Sequence, residues 1–298
     1  RARKHKAYKD EIIEYEFNLE NNITNLLNNI KSKKYRLGKY REFKVYEPKE
    51  RVIKALPYPD RIVHQWYVEE FIKPYILPKF ISTSFACIPE RGTHRSAQQI
   101  EKYMRIFKRN YGDFWVLKCD ISKFFYSINP RTLFNIMEKY ISDKALLDFT
   151  KLLIFDRRES FGQVGIPIGN YTSQFFANIY LNEMDQYVKR VLKIKYYVRY
   201  MDDFIIFDND LEHLKKCKDI IIESLENDYK LKVNKKKTWI CNIENGFSFL
   251  GYTCKVIDNK TIVRIKKSNI DKIKKIYIQV WTYSIMIAVV LFWNIVDK

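Results

Sequence analysis

The spacing of apolar positions predicts several helices along the chain. Apolar residues recur every three or four positions from Glu11 to Ile30, from Thr172 to Val191 and from Leu211 to Leu225, which is the repeat of an amphipathic helix. A further helix is expected from Asp60, acting as its N-cap, through Phe71. Pro74 should end or kink that helix, because proline lacks an amide hydrogen and its ring clashes with the preceding turn.

Short apolar runs between these helices predict strands. Phe114–Ile121 is one such run, and two more, Tyr196–Tyr200 and Phe204–Phe207, flank a tight turn. The pair Asn129-Pro130 predicts a helix start, with asparagine as the N-cap and proline in the first turn. Weaker strand signals lie at Lys31–Ile53, Leu231–Val233, Thr238–Cys241 and Phe247–Tyr252. Strands interleaved with helices and closed by a hairpin indicate an α+β fold, a sheet with helices on one face.

The composition indicates a folded protein with a polyanionic partner. Hydrophobic residues make up 47% of the 298 positions, enough for one large domain or for two to three subdomains. Lys and Arg number 54 against 35 Asp and Glu, and the resulting charge of +19 favours nucleic acid as the partner. An anionic membrane surface and an acidic protein are the alternatives. The segment Lys31–Lys54 alone carries ten basic and three acidic residues.

The cysteines and the first residue add two further expectations. None of the five cysteines has a metal-ligand spacing and the four histidines are scattered, so no disulfide framework or zinc site is expected. Reduced thiols in a cytosolic protein are the simplest interpretation. The chain begins with Arg1 rather than Met, which indicates a fragment or a processed end and leaves no targeting signal to interpret.

Two adjacent carboxylates form the strongest chemical signal. Asp202 and Asp203 lie at the turn of the segment YYVRYMDDFIIF. Because neighbouring carboxylates repel one another, the pair suggests a cation beside it. Asp120 ends a separate apolar strand, and if the strands share a sheet the three carboxylates meet at its edge. Oxygen ligands of this kind suit Mg²⁺, and two such ions could serve an in-line phosphoryl displacement. Taken alone, an Asp-Asp pair is also ordinary turn chemistry.

Six ordered blocks between about Lys31 and Tyr252 resemble the reverse transcriptase family. In chain order they are Lys49 with Arg51, Asp120 with Phe125, Gly165-Ile166-Pro167-Ile168-Gly169 followed by Ser173-Gln174, Tyr200-Met201-Asp202-Asp203, Asn234 with Lys235 to Lys237, and Phe249-Leu250-Gly251-Tyr252. Any one block is a weak match, whereas six in this order are specific.

The resemblance implies a right-hand polymerase that copies RNA into DNA. An N-terminal helix, the fingers and part of the palm would occupy residues 1–115, and a ferredoxin-like palm residues 116–252, with a fingers insertion at about 140–170. A short or truncated helical thumb and a hydrophobic tail would follow at residues 253–298. Asp120 and Asp202 would bridge two Mg²⁺ ions, with Mn²⁺ as an alternative metal. Asp203 would assist, and Ile121 would belong to the same metal site.

The resemblance also assigns residues to the nucleotide and to the template. The dNTP-binding residues would be Lys49, Arg51, Phe125, Ile168, Gly169 and Lys236. The template and primer residues would be Arg91, His94, Arg95, Gln174, Tyr200, Met201, Leu250 and Gly251. Phe125 would exclude a ribose 2′-hydroxyl and so favour deoxynucleotides over the substrates of an RNA polymerase. Ordinary core packing beside Phe124 is the alternative for this ring.

Departures within one block indicate a branch of the family. Ile168 stands where most group II intron and retron enzymes have glutamine, and Gln174 where they have proline, a pattern similar to the reverse transcriptases of diversity-generating retroelements. That branch implies an RNA template, a DNA or RNA primer, dNTPs, a small basic accessory protein, low fidelity at template adenines and a cytoplasmic enzyme of bacterial or phage origin. Group II intron-like, retron-like and phage-defence reverse transcriptases are alternatives, as is a non-catalytic nucleic-acid-binding protein.

The C-terminal segment departs from the family pattern. Ile276–Val296 has 21 residues without a charge, long enough to span a bilayer, although Gln279, Thr282, Ser284 and Asn294 dilute it. A truncated or altered thumb is the favoured interpretation, with a sequence artefact and a membrane helix as alternatives. No stable membrane association is therefore expected.

Overall fold

Helices and strands alternate in the computed structural model, which describes residues 2–46, 49–155, 164–278 and 281. The helices are α1 (Asp10–Phe17), α2 (Leu19–Lys31), α3 (Tyr58–Tyr67), α4 (Thr93–Tyr111), α5 (Phe124–Ser127), α6 (Pro130–Glu138), α7 (Lys144–Phe155), α8 (Tyr171–Gln186) and α9 (Leu211–Asn227). The strands are β1 (Arg41–Val45), β2 (Arg51–Ala55), β3 (Trp115–Asp120), β4 (Tyr197–Tyr200), β5 (Asp203–Asp208), β6 (Trp239–Asn242), β7 (Phe247–Phe249), β8 (Tyr252–Ile257) and β9 (Lys260–Ile265). The π-helical segments Val68–Ile76 and Tyr187–Val191 continue α3 and α8.

An antiparallel sheet in the order β4-β5-β3-β6 forms the centre of the described fold. β3 lies inside this sheet and is buried on both sides. Leu117 and Cys119 belong to one hydrophobic cluster and Val116 to another, because successive side chains of a strand point to opposite faces. A strand covered on both faces needs apolar residues at consecutive positions. This explains why the sequence around β3 is a continuous apolar run rather than an alternating one.

Different elements cover the two faces of the central sheet. α8 and α9 lie on one face, where α9 contributes Leu214, Cys217 and Ile221 at helical spacing. α4 and a second sheet, β7-β8-β9, lie on the other, where α4 contributes Met104 and Phe107. The expected helical face is therefore formed by α8 and α9, and α4 is an additional layer that the sequence pattern did not predict.

The local predictions in the middle of the chain are confirmed. β3, β4 and β5 occupy the three predicted strands, and α6 begins at Pro130. The side-chain oxygen of Asn129 accepts hydrogen bonds from the amides of Arg131 and Thr132 at 2.9 and 3.1 Å, which makes it the N-cap of α6. Each of these features depends on residues a few positions apart.

Two predictions in the N-terminal part are wrong. Residues 11–30 do not form one helix, because α1 and α2 are separated at Asn18, whose φ of −127° and ψ of 42° leave the helical region. Asp60 is not an N-cap, because α3 begins before it. Its carboxylate instead accepts hydrogen bonds from the Tyr35 hydroxyl at 2.6 Å and the Gly38 amide at 2.9 Å, and so ties α3 to the chain that precedes β1.

Three further elements differ from the sequence pattern. Pro74, expected to end or kink the helix, lies inside the π-helical segment that begins where the α-helical part ends at Tyr67. Residues 231–233 form no strand and contribute one bridge, between Ile121 and Val233. Residues 247–252 are not one strand, because Leu250 and Gly251 have φ of 49° and 81° and form the turn between β7 and β8.

Most of the hydrophobic tail lies outside the described residues. Of Ile276–Val296 the structure describes 276–278 and 281, so the three interpretations of this segment stay predictions. The expected insertion at about 140–170 is described on either side of residues 156–163. Among the helices that are described, none is long and apolar enough to cross a bilayer.

Replacing Asn129 with alanine should lower the free energy of unfolding by about 1 kcal/mol, because two amides of α6 lose their acceptor. Urea denaturation of the purified protein measures this change. Asn135→Ala, on the exposed side of the same helix, is the matched control and should be neutral or slightly stabilising, since alanine is the better helix former. Equal losses in the two variants would contradict the capping role.

Candidate active site

The pairing of two central strands brings the predicted carboxylates to one edge of the sheet. Asp120, the last residue of β3, lies directly opposite Asp203, the first residue of β5. Asp202 occupies the turn before β5, where its carbonyl oxygen accepts a hydrogen bond from the Ile121 amide at 3.3 Å. Met201 has a φ of 56°, a left-handed conformation that closes the turn between β4 and β5. Three carboxylates from distant parts of the sequence therefore occupy neighbouring backbone positions.

These carboxylates are costly to keep charged without a cation. Burial raises the pKa of Asp203 to about 6, and Asp202 and Asp120 add to the rise while Lys118 opposes it. The Oδ1 atom of Asp203 is buried without a hydrogen-bond partner, and Lys118 Nζ lies 3.8 Å away from it, too far for a hydrogen bond. Burial also raises the pKa of Asp202. A buried, unpaired carboxylate oxygen beside a second carboxylate favours the binding of a cation.

A lysine from the loop after α9 contacts the third carboxylate. The ammonium of Lys237 lies 2.7 Å from Asp120 Oδ2, and this hydrogen bond raises the pKa of Lys237. The loop is fixed at this point because the Asn234 amide donates to the Asp120 carbonyl oxygen at 2.8 Å. Lys236, the residue favoured from the sequence, is exposed. Of the consecutive lysines in this loop, Lys237 is therefore the one beside Asp120.

The donor set at this edge fits Mg²⁺ in its chemistry. Asp120, Asp202 and Asp203 offer hard carboxylate oxygens, Ile121 offers a main-chain carbonyl, and the Oδ1 of Asp203 has no hydrogen-bond partner. In the described part of the chain, no group of three or more His, Cys, Asp or Glu side chains is already arranged to hold a metal ion. The metal assignment therefore stays a prediction.

Three of the predicted nucleotide-binding residues lie in or against the loop of residues 164–170: Ile168 and Gly169 belong to it, and Phe125 contacts it. The Ile166 amide donates to the Phe125 carbonyl oxygen at 2.7 Å, and the Lys54 amide of β2 donates to the Ile168 carbonyl oxygen at 2.8 Å. Gly169 has a φ of 127°, and a Cβ atom there would lie 2.8 Å from the Lys54 carbonyl oxygen. The loop therefore joins α5 to the β1–β2 hairpin through its backbone, and a glycine is required where the two chains meet.

Phe124 and Phe125 have different surroundings at the start of α5. Phe124 is 2% exposed and belongs to the main hydrophobic cluster, whereas Phe125 is half-buried. The two ring centroids are 5.7 Å apart, in an edge-to-face arrangement. One ring therefore packs inside the core and the other is partly accessible. The action of Phe125 on the sugar stays a prediction.

The two residues predicted to meet the triphosphate lie in the β1–β2 hairpin. Arg51 begins β2, and its positive charge lowers the pKa of Asp202, so it lies within electrostatic reach of the carboxylates. Lys49 is exposed and follows residues 47 and 48, which are outside the described part of the chain. The hairpin thus brings positive charge towards the negative edge of the sheet.

The predicted template and primer residues lie in several elements. Arg91 points inward, and its Nη1 donates to the carbonyl oxygens of Ile81 and Ser84 at 2.9 and 2.8 Å. His94 and Arg95 are exposed in the first turn of α4. Among the remaining residues, Gln174 is exposed, Tyr200 is half-buried, Met201 is buried, and the β7–β8 turn contains Leu250 and Gly251. Their contacts with nucleic acid stay predictions.

Sequence reasoning did not single out three basic residues that the structure places near the carboxylates. Lys118 precedes Asp120 by two positions, and strand periodicity puts both on one face, so this spacing was an available signal. Lys237 has no feature that separates it from its lysine neighbours. Arg199 interrupts an apolar strand, and a charged residue at such a position signals a buried partner.

A protein-family model matches the part of the chain that contains the candidate active site. The model described as reverse transcriptase (RNA-dependent DNA polymerase) matches residues 39–254, which include all three carboxylates and the loop of residues 164–170. This match covers more than half of the chain. The chain therefore belongs to the reverse transcriptase family.

Two curated proteins are similar to this chain in sequence. Protein YkfC of Escherichia coli strain K12 is 26% identical over 254 residues, covering 70% of this chain and 65% of its own length. The putative COX1/OXI3 intron 2 protein of Saccharomyces cerevisiae is 24% identical over 213 residues, covering 50% of this chain and 25% of its own length.

Solved telomerase structures share the fold. An apo telomerase from Candida tropicalis, truncated from its C-terminal domain, superimposes with a TM-score of 0.55 at 17% identity, covering 77% of this chain and 55% of the other. A Candida albicans telomerase in complex with the TWJ fragment of telomeric RNA gives 0.56 at 15% identity, covering 78% and 46%. This chain spans less than two thirds of the length of each of these four proteins. The likeness establishes a right-hand polymerase fold of the α+β class.

Replacing Gly169 with alanine should destabilise the protein by about 1 kcal/mol or more, because the added Cβ meets a backbone oxygen at a positive φ. Gly112→Ala is the control, since Gly112 has a φ of 76° but no atom within 4 Å of the added Cβ. Urea denaturation compares the two variants. The close approach of β2 to the loop is contradicted if Gly112→Ala costs as much as Gly169→Ala.

Proposed function

We propose that this chain is an RNA-directed DNA polymerase that extends a primer by two-metal-ion nucleotidyl transfer. The observation that carries the proposal is the sheet register, in which Asp120 is paired with Asp203 beside the Asp202 turn. Membership of the reverse transcriptase family supports the reaction. A telomerase of similar fold is in complex with a fragment of telomeric RNA, which supports RNA as the template.

In this proposal the carboxylates hold two divalent cations beside the primer terminus. Bound Mg²⁺ supplies the positive charge that favours ionisation of the 3′-hydroxyl and stabilises the leaving pyrophosphate. Asp120 and Asp202 would hold the ions, Asp203 would assist, and the main-chain carbonyl of Ile121 would belong to the same site. The carboxylates lie at the ends of paired strands, so their positions are fixed before the substrates bind. Cations held there would keep the 3′-hydroxyl and the dNTP in a fixed relative position.

The dNTP is assigned to the surface beside the carboxylates, next to Phe125 and the β1–β2 hairpin. Lys49 and Arg51 neutralise the β- and γ-phosphates, and Lys236 adds positive charge. Phe125 excludes ribonucleotides, because its ring neither accepts a hydrogen bond from a 2′-hydroxyl nor leaves room for one. Gly169 holds the loop against β2, where a Cβ atom would meet the Lys54 carbonyl oxygen, and the templating base pair is assigned beside this part of the loop.

The nucleic acid is assigned to the surfaces on either side of the carboxylates. Residues proposed to meet the template or primer are Arg91, His94, Arg95, Gln174, Tyr200, Met201, Leu250 and Gly251. We assign the N-terminal helix, the fingers and part of the palm to residues 1–115, the palm to 116–252 with a fingers insertion at about 140–170, and a partial thumb with the hydrophobic tail to 253–298. The assignment is supported by the division between the β1–β2 hairpin and the central sheet.

Primer extension on an RNA template with Mg²⁺ tests the proposed activity. Wild-type protein should extend with dNTPs and far less with rNTPs, and Asp202→Ala should lose activity by about 10³-fold or more, because transition-state charge is no longer neutralised. Asp208→Asn, at the opposite end of β5, is the matched control and should stay active. An Asp202→Ala protein as active as the wild type would refute the metal assignment.

We further propose that the enzyme belongs to a diversity-generating retroelement and copies with low fidelity. Ile168 supports this, because its carbonyl oxygen is held by Lys54 while its side chain offers no polar contact to a base pair. In this branch the partners would include a small basic accessory protein. The bacterial relative supports a bacterial or phage origin, and we propose the cytoplasm as the setting.

Ile168→Gln should lower misincorporation opposite template adenines, because the added amide can hydrogen-bond to the base pair or the dNTP. Sequencing of the cDNA products gives the error spectrum at each template base. Ile166→Val, a small change at a buried neighbour in the same loop, should leave the spectrum unchanged. An identical adenine error rate in Ile168→Gln and wild type would remove the support for this branch.

A further inference from the structure

A buried arginine lies directly behind the Asp-Asp turn. Arg199, the third residue of β4, is 0% exposed, and so is Asp185 of α8. Arg199 Nε donates to Asp185 Oδ1 at 2.8 Å, and Nη2 donates to Asp185 Oδ2 at 2.6 Å. Replacing a buried charged pair by hydrophobic residues of similar volume often leaves the stability of a protein unchanged or raises it. Its presence therefore points to a task other than stability.

The remaining contacts of Arg199 lead to the turn itself. Nη1 donates to the carbonyl oxygen of Met201 at 3.0 Å and to Asn178 Oδ1 at 2.9 Å. Met201 is the residue with the left-handed φ of 56° that reverses the chain before the two aspartates. One guanidinium thus joins a helix to the strained residue of the turn, and its planar fork fixes the direction of each bond.

The backbone of Arg199 is clamped as firmly as its side chain. Its amide donates to the Thr83 carbonyl oxygen and its own carbonyl oxygen accepts from the Phe85 amide, both at 3.0 Å. Asn178 also donates to the Ala86 carbonyl oxygen at 2.8 Å. The segment 83–86, α8 and the turn therefore meet at this residue, and a shift of any one of them is passed to the others.

Electrostatics explains why the arginine needs Asp185. An unpaired guanidinium at this position would attract Asp202, whose negative charge acts on Arg199. Such an attraction would compete with divalent cations for the same carboxylate. Asp185 accepts three hydrogen bonds from Arg199 and one from the Tyr197 hydroxyl at 2.7 Å, so its negative charge offsets the positive charge of the arginine.

We infer that Arg199, held by Asp185 and Asn178, is a positioning residue that fixes the Met201 turn and thereby sets the direction of the two following carboxylates. This inference rests on the proposed polymerase function for its effect on catalysis. Arg199 does not need to contact the substrate for this role, because it acts through the backbone of Met201.

Arg199→Lys tests the inference, because it keeps the charge but replaces the planar fork with a single nitrogen that cannot reach all three partners. We expect kcat for single-nucleotide addition to fall by about 10- to 100-fold, the effect of a misplacement near 1 Å, while KM for the dNTP stays within about threefold. Hydrogen–deuterium exchange of peptides covering residues 199–204 should become faster, whether or not substrate is present.

Tyr67→Phe is the matched control. It removes a buried hydrogen bond, from the Tyr67 hydroxyl to Thr150 Oγ1 at 2.6 Å, that lies away from the turn. This variant should lower the melting temperature without changing kcat or the exchange of residues 199–204. If Tyr67→Phe lost as much kcat as Arg199→Lys, the effect of Arg199 would be explained by lower overall stability. That result would overturn the inference.

Asn178→Ala covers the case in which Arg199→Lys fails to fold. It removes one of the partners of Arg199 and leaves the Asp185 pair intact, so faster exchange at residues 199–204 and a lower kcat are again expected. Unchanged exchange and kcat in a folded variant would overturn the inference. If the wild-type protein extends no primer, the proposed function fails, and the exchange measurement still decides whether Arg199 fixes the turn.

Discussion

Repulsion among three carboxylates is the constraint on which the organisation of this protein depends. Asp120, Asp202 and Asp203 share one edge of the central sheet, where burial already disfavours the charged form of the latter two. Such a group persists in a folded protein only when positive charge offsets it. Lys237 lies 2.7 Å from one carboxylate and Lys118 lies 3.8 Å from another, so the chain itself provides part of this compensation. The proposed divalent cations would provide the remainder.

A core on both faces of the sheet keeps these charges at their positions. Shifting β3 by one residue against β5 would send every side chain to the opposite face, moving Asp120 away from Asp203 and Leu117 out of its cluster. Because α8 and α9 cover one face and α4 covers the other, such a slip would disrupt both hydrophobic clusters at once. The apolar residues of the sheet thus enforce the register on which the polar edge depends.

Part of the excess positive charge lies on the β1–β2 hairpin, which contributes little to the hydrophobic core. All five residues of β1 are exposed, and a two-stranded hairpin of this kind is marginally stable by itself. The bond from the Lys54 amide to the Ile168 carbonyl oxygen ties the β1–β2 hairpin to the loop beside Phe125. Positive charge is therefore carried on an element whose position depends on a backbone contact at Gly169, close to where a nucleotide is proposed to bind.

The sequence by itself determined the features that depend on near neighbours: the apolar run of β3, the cap at Asn129 and the tight turn at Asp202. Ordered motifs also connected Asp120 to that turn before any geometry was available. Only the tertiary structure decided that Lys237 rather than Lys236 contacts Asp120 and that Arg199 is buried behind the turn. It also divided the N-terminal helical pattern in two and added α4 behind the sheet. The reason is physical: a periodic pattern records which side of a segment is apolar, whereas the partner of a charged side chain depends on which distant surface folds against it.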